Sequence, residues 1–542
     1  MEVAMGADLN RSRPNIIVVI SHDTGRHFGC YGVPSVNTPA IDALAADGVR
    51  FTSMFATAAM CTPSRGSLFT GKYPECNGLM GLAGAAYRYE MNNPREHLSF
   101  LLHDAGYRTM LFGHQHEALN TTTLGFDQWI NPPAGSKDRE GAVATASEVA
   151  SYLAKRRADD PQPFYLQIGF IETHTPYLAL GGEPDTSKGV WLPPYAGADE
   201  GALHKHLANF QGSIRQVDRA VATILEAIRA AGVEKNTLFL FTVDHGPELP
   251  RAKWTGFDAG AQVAAILRWS DGKLHGGRTC DLLLNNTDIL PTLMDLAGLP
   301  APTGLDGINF AEALRHPDKV TPEVRDEVFF SFFYSQIHAV RTRSHKFIRY
   351  FNGGCFNYSK FLQYHMTPAY ELYDVQADPG EFRNLAQDPA YASVLEEMNG
   401  RLWRHLERVK APVLNGPVTY RPYLLAMEAY QCRRGRWTAD LSDVLERSGD
   451  GATYTIATAK YRLQREFTSI YMERSLRLFD RVADPESKTN LVMNPACADV
   501  LTEMDAKLWT WLEREKAPIL TGLPSVPAID QALEDYHQWR SR

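Results

Sequence analysis

The chain predicts an α/β fold: a large, mostly parallel or mixed sheet sandwiched by helices, with a smaller α+β C-terminal region containing a duplicated unit. Three observations predict it. Over roughly the first 300 residues, short apolar runs alternate with helical patterns. Polar residues stand just past several of those runs. Late in the chain, one segment recurs at a constant offset.

Asn15–Ser21 (NIIVVIS) is nearly continuous in apolar character, as expected of a strand covered on both faces. A helix opens near Thr38: the threonine can cap it, Pro39 suits its first turn and Gly48 its exit. Tyr107–Phe112, Phe164–Phe170, Thr237–Val243 and Val263–Leu267 read as further strands. The clearest helix covers 205–231, where Ile214, Val217, Val221, Leu225 and Ile228 recur at helical spacing and Gly232 ends it. Strands alternating with helices imply a site built from polar residues beyond the strand ends.

In the last third, ELYDVQADPGEFRNLAQDP from Glu371 returns as RLFDRVADPESKTNLVMNP from Arg477. The offset from Asp374 to Asp480 is 480 − 374 = 106 residues, and it holds for Asn384 and Asn490, Trp403 and Trp509, and Ala411 and Ala517. Two copies of an α+β unit, each ending in a helix, are too few for a solenoid, and a structural role accounts for them. The expected division is an α/β domain over 1–330, a first repeat copy over 331–430 and a second over 431–542.

With 542 residues, 44% hydrophobic and 22% charged, the composition is that of a globular protein. A net charge of −8 argues against a general nucleic-acid binder, yet leaves room for a basic pocket that takes a small anion. No apolar run reaches the roughly 18 residues of a membrane span. Met1–Arg13 has no hydrophobic core, so a cytoplasmic location is expected. The seven cysteines are scattered without CxxC pairs, which fits reduced thiols.

Chemistry concentrates at Cys61–Gly71, CTPSRGSLFTG. A thiol opening a helix beside Arg65 should ionise readily and react, although lone cysteines are more often small buried hydrophobes. Asp23 and Asp244 follow apolar strands, so both can project from one sheet edge, with His22 and His245 as flanking ligands for a divalent ion. His174, in FIETHTPY, also stands just past an apolar strand.

Cys-x-Pro-Ser-Arg followed by Leu and Thr-Gly resembles the signature of the sulfatase family, in the alkaline phosphatase-like superfamily. Supporting motifs occur in order along nearly the whole chain: GCYG at Gly29, Asn37-Thr38-Pro39, Gly113–His116, His174, Asp244-His245-Gly246, Lys253 and the ELYD pattern. The resemblance implies that a maturation enzyme oxidises Cys61 to formylglycine, whose hydrate attacks sulfur. It further implies one divalent metal, calcium by family, at Asp23, His22, Cys61, Asp244 and His245. Arg65, His116, His174 and Lys253 would hold sulfate or protonate the leaving group.

Two departures stand out: His22 falls where the family has the first of two aspartates, and His114 where it commonly has a sulfate-binding lysine. Imidazoles near the metal bring manganese or zinc forward beside calcium or magnesium. NGLMGLAG at Asn77, AGYRTMLFG and PELPRAKWTGFDAG at Pro247 resemble the sulfamidase branch, which implies N-sulfoglucosamine in heparan-type sugars as substrate. A phosphonate or phosphate monoester hydrolase of the same superfamily, and a catalytically silent sugar-binding homologue, are the alternatives. Arg88 and His97 are candidate substrate contacts. The aromatic stretch Tyr350–Tyr373 suits a domain interface or a sugar pocket.

Overall fold

The structure is a computed structural model. It describes residues 13–83, 89–131, 141–156, 162–177, 183–196, 201–319, 325–332, 336–351, 369–415, 442–443, 446–449, 453–467, 473–492, 494–516 and 527–542. Arg88 and the aromatics Phe356, Tyr358, Phe361 and Tyr364 lie outside the described residues.

The strands in chain order are β1 (Asn15–Ser21), β2 (Val49–Phe51), β3 (Met54–Phe55), β4 (Arg108–Gly113), β5 (Gln128–Ile130), β6 (Phe164–Gly169), β7 (Thr237–Val243), β8 (Ala265–Arg268), β9 (Arg278–Cys280) and β10 (Leu284–Asn285). Eight of them form one sheet in the order β5-β4-β6-β1-β7-β8-β2-β9. β4, β6, β1 and β7 run parallel, and β8 is antiparallel to β7, so the sheet is mixed. The last of the expected strands begins two residues later than its apolar run, at Ala265.

β1 is central, flanked by β6 and β7, and its residues are buried along their whole length. That burial is why the run is continuous rather than alternating. Fully burying each Ile or Val contributes roughly 1.5–3 kcal/mol, and Ile16–Ile20 give five such side chains in a row. The helix Ala202–Ala230 packs Ile214, Val217, Val221 and Ile228 into the same core, and Gly232 follows with φ 71°. The parallel strands all present their carboxyl ends at one edge of the sheet, and β4 and β6 converge there through glycine. A Cβ on Gly169 would come within 1.8 Å of the His114 carbonyl oxygen, so only glycine lets the chain after β4 fold back against β6.

The helix Pro39–Asp47 begins where expected, but the Thr38 hydroxyl does not cap it. Asp218, from the long helix, does so by accepting the Ile41 N–H at 2.8 Å and the Ala40 N–H at 3.3 Å. Thr38 instead accepts from Gly29 N–H and donates to Asp42, which fastens the preceding loop.

The described residues cluster into two compact units: those within 13–83, 90–350 and 369–411 in the first, and Tyr89, Phe351 and those within 412–542 in the second. The first unit also holds an antiparallel sheet, β11 (Glu327–Phe332), β12 (Ile337–Thr342), β13 (His345–Tyr350) and β14 (Tyr370–Asp374), followed by the helix Ala392–Arg408. The second holds β15 (Glu446–Gly449), β16 (Thr453–Ala457), β17 (Tyr461–Phe467) and β18 (Glu473–Asp480), followed by the helix Ala498–Arg514. The duplication extends to single hydrogen bonds. Asn384 accepts from Leu372 N–H at 3.0 Å, and Asn490 accepts from Leu478 N–H at 3.0 Å. Arg349 lies 4.7 Å over the Trp403 ring, and Arg465 lies 5.3 Å over Trp509.

Candidate active site

Four parallel strand ends and one helix N-terminus build the site. His22 and Asp23 follow β1, His114 and His116 follow β4, His174 lies beyond β6, and Asp244 and His245 follow β7. Asp23 has φ 43°, a strained conformation for a residue with a side chain, and its carboxylate contacts His22, His245 and Lys253. The helix Cys61–Thr70 is buried throughout and begins at Cys61 itself, so the thiol lies at the positive end of the helix. Ser64 fixes that turn: its hydroxyl donates to the Asp244 carbonyl and accepts from Asn286 Nδ2 at 2.7 Å.

Asp244 organises the centre. One carboxylate oxygen accepts the Asp23 and His245 N–H groups, each at 2.8 Å, and the other accepts from Arg65 Nε at 3.0 Å. His245 donates Nδ1–H to the Gly246 carbonyl at 2.9 Å, which leaves Nε2 facing Asp23 Oδ1 at 3.0 Å and Cys61 Sγ at 3.3 Å. His22 Nδ1 lies 2.6 Å from Asp23 Oδ1 and 3.4 Å from Asp244 Oδ2. Lys253 Nζ contacts Asp23 Oδ2 at 2.5 Å, and His174 Nε2 lies 4.0 Å from that oxygen. The His114 and His116 rings lie 5.3 and 6.3 Å from that of His22. All ten residues expected from the sequence therefore meet in one place.

The electrostatics show how tightly these charges depend on one another. Burial disfavours the Cys61 thiolate, but His22, Lys253 and His245 outweigh it and hold the thiol well below its ordinary range. Burial also opposes charge on His22, yet Asp244, Asp23 and Cys61 raise it to about 9. His245 is raised against burial by Asp244 and Asp23. Burial pushes His114 down, with Arg65 and His22 adding to it. The pattern is a buried anionic centre that draws in protons or cations.

The donors of His22, Asp23, Cys61, Asp244 and His245 all lie within 4.8 Å of one another, a mixed oxygen, nitrogen and sulfur set suited to a divalent ion. Arg65 is buried and bonded through Nε, but its Nη1 and Nη2 have no hydrogen-bond partner among the described residues. Two buried guanidinium donors beside a thiol at a helix N-terminus are equipped to grip an oxyanion.

His97 does not belong to the site. It is fully buried, its ring 5.1 Å from that of Phe69, and its Nδ1 accepts from Ser99 N–H at 3.2 Å to cap the helix Leu98–Asp104. Sequence reading missed two supporting residues. Glu117 Oε1 stands 3.9 Å from Arg65 Nη1, and Asn286 holds Ser64. Glu117 adjoins His116 in the motif and was accessible to inspection, whereas Asn286, 222 residues from Ser64, carries no local signal.

Parallel strand ends that hold an acidic thiol, a buried guanidinium and a set of metal donors define a hydrolase of oxyanion esters. The chain belongs to the sulfatase family, whose members hydrolyse sulfate esters: the sulfatase family model matches residues 14–299. A second family model, N-sulphoglucosamine sulphohydrolase, C-terminal, matches residues 253–408. An ulvan-active sulfatase of Formosa agariphila is 30% identical over 411 residues, covering 71% of this chain and 78% of its own. Human N-sulphoglucosamine sulphohydrolase is 24% identical over 454 residues, covering 73% and 90%. Among solved structures, one in complex with its substrate D-glucosamine-2-N,6-O-disulfate superposes with a TM-score of 0.61 at 18% identity, covering 74% of this chain and 99% of that one. The phosphonate monoester hydrolase of Agrobacterium radiobacter gives 0.56 at 21%, covering 73% and 96%. Both likenesses establish the alkaline phosphatase-like fold.

Proposed function

We propose that the protein hydrolyses a sulfate ester or sulfamate on a saccharide, with N-sulfoglucosamine the leading substrate, and that it works through formylglycine made from Cys61. The observation that carries the reading is Arg65, on the Cys61 helix, whose terminal nitrogens are buried with no hydrogen-bond partner among the described residues. Burying a guanidinium without using its donors is costly, and an oxyanion gives those donors partners. The sugar assignment is supported by the C-terminal family match over 253–408 and by relatives that act on ulvan and on N-sulphoglucosamine.

One divalent metal fits the five donors His22, Asp23, Cys61, Asp244 and His245, and two imidazoles among them favour manganese or zinc beside calcium or magnesium. When bound, it supplies Lewis-acid polarisation and offsets negative charge. The formylglycine hydrate supplies the attacking oxygen. Arg65 holds a sulfate oxygen and, through Asp244, keeps the helix turn in register with β7. Lys253 stays charged, because burial is outweighed by Asp23 and Cys61, and it faces the developing charge from the Asp23 side. His174 donates Nδ1–H to the Thr175 carbonyl at 2.6 Å, so its Nε2 faces the centre, where it can protonate a leaving oxygen or nitrogen.

Two measurements test the reading. The mass of the Cys61 peptide, after co-expression with a formylglycine-generating enzyme, should fall by about 18 Da, the change from thiol to aldehyde. Matched sulfamate, sulfate, phosphate and phosphonate substrates should then be turned over fastest as sulfated sugars. Preference for a phosphonate monoester would transfer the assignment to the other branch of the fold. An unmodified cysteine with a working control would favour a silent homologue.

A further inference from the structure

Beside the five-donor centre lies a second group that shares His22 with it; when both ions are bound, His22 serves the second and Asp23, Cys61, Asp244 and His245 keep the first. His22, His114 and His116 each offer a ring nitrogen, and the three nitrogens lie within 4.8 Å of one another. Their ring centroids are separated by 5.3, 5.6 and 6.3 Å. A tetrahedral zinc held about 2.0–2.1 Å from three imidazole nitrogens sets those nitrogens roughly 3.4 Å apart and the ring centroids roughly 5 Å apart. Side-chain rotation of about an ångström closes the difference.

Two further observations point to a ligand. His114 Nε2 and His116 Nδ1 are buried and have no hydrogen-bond partner among the described residues. Buried imidazole nitrogens are seldom left in that condition. His22 already has the arrangement of a zinc-bound histidine, because its Nδ1 lies 2.6 Å from the Asp23 carboxylate and its Nε2 is the remaining donor. A carboxylate that accepts the far N–H of a ligating histidine fixes the tautomer and strengthens the ligand.

We infer that His22, His114 and His116 form a second site for a borderline-soft divalent ion, zinc above all, separate from the ion held by Asp23, Asp244, His245 and Cys61. Three imidazoles with an open fourth position, His22 giving up its proton as the ion binds, suit zinc better than calcium or magnesium. The ion adds a positive charge beside Arg65 at the oxyanion clamp. The nearby cations are already matched, Arg65 by Asp244 at 3.0 Å and Glu117 at 3.9 Å, and Lys253 by Asp23. The ion's part in gripping sulfate rests on the function proposed above; its binding does not.

The test is metal content by mass spectrometry on the full-length protein saturated with zinc and desalted, with a melting curve recorded for every variant. The wild type is expected to hold about two zinc ions per chain, and folded His114→Ala and His116→Ala about one. His114→Lys, which replaces a ligand by a fixed cation, is a second probe and should also hold about one. Cobalt loaded as a stand-in should show visible absorption from an imidazole-rich site in the wild type that is missing in these variants. A wild type that saturates at one ion, or folded triad variants that keep two, overturns the site. Sulfate-ester turnover on the same samples separates the two claims. A two-metal protein that cleaves no sulfate ester removes the function and keeps the site, and a one-metal protein that cleaves one does the reverse.

Discussion

At Cys61 the helix N-terminus, His245 Nε2 at 3.3 Å and the charges of His22 and Lys253 together make an acidic sulfur in a buried place. Its contribution is chemical, because the helix is held by Ser64, Asn286 and its own burial. Cys61→Ala should therefore melt within a few degrees of the parent while turnover falls by roughly 10³-fold or more, as loss of a nucleophile does elsewhere. Substantial turnover in that variant would remove Cys61 from the mechanism. His174 makes a finer prediction. Burial lowers its pKa, so as an acid it is protonated on the acid side of the ordinary 6.5, and turnover should fall as pH rises through that lowered value. His174→Ala should cost about 10²-fold or more on a sugar sulfate or sulfamate, whose leaving group needs a proton. It should cost far less on a nitrophenyl sulfate, whose leaving group does not. Equal losses on both substrates would assign His174 to binding instead.

At the scale of elements, the sequence disclosed what is local and hid what is tertiary. β1 and β7 were legible because full burial writes itself as an unbroken apolar run, and the Cys61 helix because its motif is contiguous. The cap of the helix Pro39–Asp47 was misplaced on Thr38 because its true acceptor, Asp218, lies 177 residues from Ile41. Asp218→Ala should cost about 1–2 kcal/mol in urea unfolding, in the range of other lost helix caps. Burial pushes the Asp218 carboxyl up to about 6 from an ordinary 3.8. The folded state thus binds the proton more tightly, and this group's contribution to stability is greatest below about pH 4 and declines as pH rises to about 6. Asp218→Asn keeps an acceptor without the proton, so its stability relative to the parent should improve between pH 4 and pH 7. A difference that does not change with pH would mean that the carboxyl is not buried as described.

Across the whole molecule, the site belongs to unit 1, and its residues come from strand ends far apart in the chain. That His22, His114 and His116 face one another was not legible, because a histidine in sequence carries no record of its neighbours. Only the fold sets three rings within 6.3 Å of one another. The duplicated unit was legible from its constant offset, since Asn384 and Asn490 each hold the same strand in the same way. An ion held at the proposed centre, with donors from the ends of β1 and β7 and from the Cys61 helix, would also bear on global stability, because an unfolded chain cannot assemble the site. Binding only to the folded state adds about 4 kcal/mol when the free ion stands near a thousand times its dissociation constant. Removing metal with a chelator should therefore lower the melting temperature by several degrees, and adding it back should restore the loss. Asp244→Ala should start at the lower temperature and regain less than the parent, since the ion at His22, His114 and His116 is then the one left to respond. It removes a donor of the ion and the partner of Arg65 Nε at 3.0 Å in one step. Were Asp244→Ala to regain stability with added metal as the parent does, the ion would have to be held without β7, and the centre described here would be wrong.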